Sequence, residues 1–165
     1  MGNVKLLHEL DQPFSSESGT RLLSGFTFQQ DNKINDEPVL ELLQYLHVVM
    51  KEAAQRTGGA NDKNDLQQLV IILADGRFHE KESLRRCIRN AFQSIQMLAF
   101  VVLDSAKSSV LDMQSVTFSN GAPVFRSYMD SYPFPFYTVV QDVNALPRTL
   151  SDLMRQWFEL SLSAG

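Results

Sequence analysis

The chain has 165 residues, 44% of them hydrophobic, and this length and composition predict a single globular domain with a sizeable core. Its net charge is −4 and its basic residues are scattered, which argues against direct binding to nucleic acid. The single cysteine, Cys87, excludes a disulfide framework, and no apolar run is long enough to cross a membrane. Nor do residues 1–13 show the basic-then-apolar order of a secretory signal.

The first third of the chain alternates short apolar groups with polar loops. Residues 3–7 predict a short strand, residues 18–24 a short helix, and residues 26–28 the edge of another strand. From Pro38 to about residue 55, apolar residues recur at helical spacing. Proline suits the first turn of a helix, where its missing N–H costs nothing, so we expect a helix over this segment.

The centre of the chain has the pattern of a strand–helix–strand unit. Residues 69–74 and 97–103 are continuous apolar runs, which are typical of strands that are covered on both faces of a parallel sheet. Between them, Leu84, Cys87 and Ile88 share one face of a predicted helix whose other face is charged. The spacing of these elements predicts a βαβ unit.

The last third of the chain begins with an insertion. Apolar residues alternate on both sides of Asn120-Gly121, which predicts a β-hairpin over residues 110–126. Residues 136–140 predict a third apolar strand, and Pro147 begins a last helix. Together these elements predict an α/β fold, a doubly wound and mostly parallel sheet with helices on both faces. The last helix should bury one apolar stripe, formed by Leu150, Leu153, Met154, Trp157 and Phe158.

Three aspartates, Asp75, Asp104 and Asp142, each follow a predicted strand. In an open parallel sheet they would emerge on the same carboxyl edge, where ligands bind. For Asp104 and Asp142 we favour the common role of an aspartate in a turn or cap. Asp75 favours a functional role, because Gly76 would let the backbone approach a ligand and the following helix contributes its positive N-terminus.

The residues that follow Asp75 complete the candidate surface. The alternative reading is an exposed helix start in which Glu80 only complements the helix dipole. The chain shows no zinc-ligand spacing, no nucleophile elbow and no phosphate-binding loop, which argues against an enzyme. The carboxylate of Asp75 suits a hard cation such as Mg²⁺. The predicted partner-binding residues beside it are Gly76, Arg77, Phe78, His79 and Glu80.

Three long motifs carry a resemblance to a known family. The segments LADGRFHEKESLRR at 73–86, YMDSYPFPFY at 128–137 and ALPRTLSDLMRQWFEL at 145–160 resemble the C-terminal domain of the midasins. Midasins are giant nuclear AAA-type ATPases of large-ribosomal-subunit assembly. The resemblance runs through nearly the whole chain and implies a von Willebrand factor A fold with a metal-ion-dependent adhesion site. It also implies that ATP hydrolysis belongs to separate AAA modules, so that this chain itself is not an enzyme.

The resemblance further implies a partner and a location. In this family, Mg²⁺ at the adhesion site is completed by a carboxylate from the ubiquitin-like domain of a pre-60S assembly factor. The expected function is therefore binding of such factors, in the nucleolus and nucleoplasm, so that they can be removed from the pre-60S particle. No membrane and no direct nucleic-acid partner is implied.

Carried over residue by residue, the family site is altered in this chain. Asp75 matches the aspartate of its third loop, whereas Lys33 takes the place of the threonine in its second loop, where an ammonium group would repel a cation. The Asp-x-Ser-x-Ser of the first loop has no counterpart, because the chain begins after it. We therefore expect residues 1–165 to form one partial von Willebrand factor A-like domain that lacks its first strand.

That expectation leads to two predictions and leaves two main alternatives. Without its first strand the domain should be poorly soluble or marginally folded, and it should not bind magnesium tightly. The chain is either a binding module for ubiquitin-like domains or a structural remnant without metal-dependent binding. An enzyme on a doubly wound sheet is the least favoured alternative.

Overall fold

The computed structural model of the chain describes residues 4–9, 12–25, 38–57, 68–91 and 97–163. No helix in these ranges is long and apolar enough to cross a membrane. Two short 3₁₀ turns, Tyr128–Ser131 and Val143–Ala145, accompany the regular elements. The helices and strands in chain order are α1 (Ser16–Gly25), α2 (Pro38–Thr57), β1 (Leu69–Ala74), α3 (Lys81–Ala91), β2 (Met97–Leu103), β3 (Gln114–Ser119), β4 (Ala122–Ser127), β5 (Phe136–Val140) and α4 (Leu146–Ser163).

The main sheet has the order β1-β2-β5 and is parallel throughout. Its register places Val70 beside Leu98 and Phe100 beside Tyr137. Because α3 connects the neighbouring parallel strands β1 and β2, the predicted βαβ unit is confirmed. The three predicted apolar strands are also confirmed at their predicted bounds, since each apolar run stops at a polar residue: Asp75, Asp104 or Gln141.

One face of the sheet carries the core. Leu43 of α2 and Leu84 and Ile88 of α3 pack in one cluster with the side chains of this face. Burying each of these side chains contributes about 1.5–3 kcal/mol, so the cluster supplies most of the driving force for folding. The strand residues on this face are Val70, Ile72, Leu98, Phe100 and Val102.

The opposite face of the sheet is covered only in its middle. Met97, Ala99 and Val101 of β2 are buried there, but Leu73 of β1 is 44% exposed and Phe136 of β5 is 47% exposed. Among the described strands the order also runs in one direction without a reversal. The α/β class and the parallel sheet are thus established, whereas the doubly wound arrangement with helices on both faces stays a prediction.

The predicted hairpin is confirmed as a separate two-stranded sheet of β3 and β4, over residues 114–127 and not 110–126, whereas its being an insertion stays a prediction. Asn120 and Gly121 have φ of 51° and 78°, the pair of positive angles that a type I′ turn requires. One face of the hairpin presents Val116, Phe118 and Phe125, which are 48%, 77% and 61% exposed. The hairpin therefore projects an apolar surface that the described part of the chain does not cover.

The N-terminal predictions have different outcomes. The helix expected near residues 18–24 is confirmed as α1, but residues 4–7 do not form a strand. A strand needs a neighbour to pair its backbone groups, and no strand in the described ranges lies beside these residues. Instead, Leu7 lies against the end of α1 at Gly25. Asn3 and the strand predicted at residues 26–28 lie outside the described residues.

The prediction of a buried stripe on α4 is wrong in part. Leu150, Leu153 and Trp157 are half-buried, but Met154 is 45% exposed and Phe158 is 56% exposed. Within the described chain, the one element that α4 contacts extensively is the 3₁₀ turn Val143–Ala145 that precedes it. Helical spacing predicts an apolar face, but only a neighbouring surface can bury that face.

Candidate functional site

The carboxyl edge of the parallel sheet holds all three strand-end aspartates. Asp75 follows β1, Asp104 follows β2, and Asp142 lies two residues beyond β5. The backbone N–H of Asp104 donates to the carbonyl oxygen of Val140 over 2.9 Å, which ties the ends of β2 and β5 together. The predicted placement of these residues on one edge is therefore confirmed, although their surroundings differ.

The carboxylate of Asp104 is hydrogen-bonded by its own loop. Its carboxylate accepts hydrogen bonds from the Ser109 hydroxyl at 2.5 Å, the Val110 N–H at 3.2 Å and the Gln141 amide at 3.4 Å. Desolvation raises the pKa of Asp104, but the hydrogen bonds from Ser109, Ser105, Val110 and Gln141 together lower it below its usual value. Asp104 therefore organises the loop after β2, as the turn interpretation predicts.

Asp142 also has a local role. Its Oδ1 accepts hydrogen bonds from the backbone N–H of Asn144 at 3.0 Å and from its side-chain amide at 2.9 Å. These contacts cap the 3₁₀ turn Val143–Ala145, which leads into α4. The predicted capping role of Asp142 is confirmed.

Asp75 accepts fewer hydrogen bonds than the other two carboxylates. It is exposed, and its Oδ1 accepts a hydrogen bond from the N–H of Arg77 over 3.2 Å. This contact between residues two apart is the Asx turn that an aspartate after a strand commonly forms. Its Oδ2 accepts no hydrogen bond from the described residues. Asp75 therefore presents one carboxylate oxygen that the surrounding chain does not use.

Gly76 is required by packing rather than by an open approach to the backbone. It is buried and has φ of 72°, a left-handed conformation that side chains rarely adopt. A Cβ at this position would lie 2.8 Å from the Tyr132 hydroxyl and 2.9 Å from Cγ1 of Val102. The expectation that Gly76 lets a ligand approach the backbone is therefore replaced by a tight contact with the core.

The buried residues of the turn anchor it to the core. Phe78 is 7% exposed, and its ring meets that of Phe100 edge-on with 5.4 Å between ring centroids. Its backbone N–H donates to the hydroxyl of Tyr128 over 2.7 Å, and the same hydroxyl donates to the carbonyl oxygen of Gly76 over 3.1 Å. Gly76 and Phe78 thus hold the turn in place and do not face outward.

The remaining predicted contact residues, Arg77, His79 and Glu80, are exposed. The guanidinium of Arg77 donates to the carbonyl oxygen of Ser108 and, over 3.2 Å, to its hydroxyl. Glu80 accepts a hydrogen bond from the Ser83 hydroxyl over 3.0 Å, as expected for a residue at the start of a helix. The exposed surface around Asp75 is therefore mixed in charge, and Arg77 connects it to the loop after β2.

The sequence interpretation missed the residues that support this surface from below. Tyr128 is one of them, and Lys81 is another: its ammonium donates to the carbonyl oxygen of Tyr128 at 3.0 Å and to the Ser131 hydroxyl at 2.9 Å. Desolvation and the nearby charge of Arg85 lower the pKa of Lys81. The motif YMDSYPFPFY contains Tyr128 and Ser131, but contacts about 50 residues apart in the chain leave no local pattern.

The half-buried thiol of Cys87 lies on the helix face that packs against the core. Burial raises the pKa of this thiol. A raised pKa reduces the fraction of reactive thiolate, so this residue shows the behaviour expected of a structural cysteine.

Few side chains at this edge are candidates for a magnesium site. Within the described ranges, no cluster of three or more acidic, histidine or cysteine side chains could hold a metal ion. Asp104 is engaged by its own loop, whereas Asp75 and Asp142 accept hydrogen bonds only through Oδ1 and keep Oδ2 free of hydrogen bonds from the described residues. Mg²⁺ requires an octahedron of oxygen ligands, and one carboxylate supplies a small part of it. Lys33, the predicted altered position, lies outside the described residues.

Comparisons with known proteins give one consistent result. No family model matches the chain. It is 32% identical over 164 residues to midasin of Dictyostelium discoideum, and the matched region covers 98% of this chain and 3% of that protein. It is 29% identical over 160 residues to midasin of Giardia intestinalis, covering 94% of this chain and again 3% of the relative. The resemblance to midasin that the three motifs predict is therefore confirmed, and this chain corresponds to one short segment of such a protein.

Proposed function

We propose that this chain is the protein-binding module of a midasin-like ribosome-assembly ATPase. In this proposal, the chain contributes a von Willebrand factor A-like domain that engages the ubiquitin-like domain of pre-60S assembly factors. The observation that carries the proposal is the exposed Asp75, held in a turn at the carboxyl edge of a parallel sheet. This edge is where open α/β sheets bind their ligands.

The module binds and does not hydrolyse. The chain spans about 3% of the length of the curated relatives it matches, and its sequence lacks a phosphate-binding loop. ATP hydrolysis therefore belongs to other parts of such a protein, and force from those parts would act through this module on the bound factor. The place of action is the nucleus, where pre-60S particles mature.

The chemistry of the surface suits a folded protein partner. Asp75, Arg77 and His79 form an exposed polar patch next to the loop after β2. The hairpin adds exposed apolar side chains, among them Phe118 at 77% and Phe125 at 61%. Protein interfaces combine an apolar centre with a polar rim, and these two surfaces supply both components.

Magnesium has a limited role in this proposal. Because Mg²⁺ is commonly bound through one or two carboxylates and keeps several waters, Asp75 would hold it only together with a carboxylate of the partner. The isolated chain then binds the ion weakly. The second candidate, a structural remnant without metal-dependent binding, is favoured because the described residues contain no cluster of three or more acidic, histidine or cysteine side chains.

A binding assay with matched variants tests the proposal. The full chain is immobilised and exposed to a ubiquitin-like domain of an assembly factor, with magnesium or with a chelator. Asp75→Asn and Asp142→Asn form a pair, since both residues are exposed and accept a hydrogen bond from the N–H two residues ahead. Asparagine keeps that acceptor and removes the charge.

Magnesium should increase binding by the wild type and by Asp142→Asn, but not by Asp75→Asn. Binding of equal strength with the chelator, unchanged in Asp75→Asn, would favour the metal-independent candidate. If the wild type does not bind at all under either condition, the proposed function is wrong.

A further inference from the structure

Tyr128 joins three parts of the molecule. Its backbone N–H donates to the carbonyl oxygen of Met113 over 2.9 Å, directly beyond the last paired residues of the hairpin. Its carbonyl oxygen accepts a hydrogen bond from the Lys81 ammonium at the start of α3, and this ammonium also lies 3.3 Å from the centre of the Tyr128 ring. Its side chain reaches the turn after Asp75, and the residue as a whole is only 7% exposed.

The hydroxyl of Tyr128 makes two buried hydrogen bonds to the backbone of the turn after Asp75. It accepts a hydrogen bond from the N–H of Phe78 and donates one to the carbonyl oxygen of Gly76, so that one oxygen atom bridges two peptide groups of the same turn. Both bonds are buried, where water cannot replace the hydroxyl without a rearrangement. Within the same turn, the Arg77 N–H donates to the Asp75 carboxylate.

We propose that Tyr128 is the positioning residue of Asp75. By fixing Gly76 and Phe78, its hydroxyl holds the backbone on which the Asp75 carboxylate is presented, although it does not touch that carboxylate. A turn that is already ordered loses less conformational entropy when a partner binds, so the hydroxyl increases affinity without contacting the partner. The consequence for binding rests on the proposed function, whereas the effect on the turn does not.

Amide hydrogen exchange of the full chain tests the effect on the turn. Tyr128→Phe keeps the ring and removes the hydroxyl. Tyr137→Phe is the control, because the Tyr137 hydroxyl makes no hydrogen bond to the described residues. In Tyr128→Phe, the Phe78 amide should exchange at least about tenfold faster, while amides of β2 such as that of Val102 keep their rates. Unchanged exchange at Phe78, or equal acceleration along the whole chain, would overturn the proposal.

A double-mutant comparison tests the effect on binding. Tyr128→Phe should weaken binding of the ubiquitin-like domain by about three- to tenfold in the wild-type background, and by nothing further in Asp75→Asn, because it acts through Asp75. Additive losses would show that Tyr128 does not act through Asp75 and would overturn its positioning role. Failure of the wild type to bind would reject the proposed function, and the exchange rates would then decide the role of Tyr128 alone.

Discussion

Asp75 and Asp104 end neighbouring parallel strands, yet their loops are held in opposite ways. The loop after β2 folds around its own aspartate, because Ser109, Val110 and Gln141 all donate to the Asp104 carboxylate. The turn after β1 is held by contacts that do not involve its aspartate, namely the hydrogen bond of the Tyr128 hydroxyl and the packing of Phe78. The Asp75 carboxylate accepts one hydrogen bond, from the Arg77 N–H, and its second oxygen remains available to a partner. This difference separates a structural aspartate from a candidate binding residue.

The largest expected effect comes from filling the tight contact at Gly76. Gly76→Ala should destabilise the fold by about 2–5 kcal/mol, because a left-handed alanine costs about 1–2 kcal/mol and overpacking about 1–3 kcal/mol. Gly121→Ala is the matched control, since it has a similar φ of 78° but no neighbour within 4 Å of its Cβ position. Urea unfolding measures both variants. Equal losses in the two variants would show that the contacts with Tyr132 and Val102 are unimportant.

A smaller effect is expected from deleting the two aspartates themselves. Asp104→Ala should cost about 1–2 kcal/mol of unfolding free energy, because several donors in its loop lose their acceptor. Asp75→Ala should change stability by no more than about 0.5 kcal/mol, as is usual for a surface substitution. Denaturant titration of the two variants measures this difference. A loss at Asp75 as large as at Asp104 would break the contrast between the two loops.

The smallest expected effect is on the pH dependence of stability. The pKa of Asp104 is lowered in the folded state, so its contribution is present above the unfolded-state pKa of about 3.9 and is lost as the pH falls through the folded-state pKa. Between pH 5 and pH 3, roughly the range around that value, the wild type should therefore lose more stability than Asp104→Asn. Thermal unfolding across this range measures the difference. Parallel curves for the two proteins would contradict the assignment.

Poor solubility of the chain stays a prediction, and the structure adds a physical reason for it. Met154 and Phe158 of α4, Leu73 of β1 and Phe118 of the hairpin are all between 44% and 77% exposed. Exposed apolar surface of this extent favours association. A partner or a further protein segment that covered these side chains would bury apolar surface and so gain binding free energy.

The sequence by itself determined the elements of the sheet and the hairpin. The apolar runs of β1, β2 and β5 end at polar residues, so the local sequence predicts where each strand ends. The dipeptide Asn120-Gly121 likewise predicts a type I′ turn. The alignment of three strand-end aspartates on one edge follows from parallel pairing. Such features depend on residues within a few positions of each other, which a single sequence contains in full.

Only the tertiary structure decided which aspartate is hydrogen-bonded by its own loop and which apolar surfaces are covered. Gly76 distinguishes Asp75 from Asp104 in the sequence, but the contacts that separate the two residues are distant ones: Gln141 donates to the Asp104 carboxylate, and Tyr128 supports the turn after Asp75. Gly76 is explained by Val102 and Tyr132, which lie far along the chain. The exposure of α4 was equally hidden, because helical periodicity records an apolar face but not the presence of a surface to receive it.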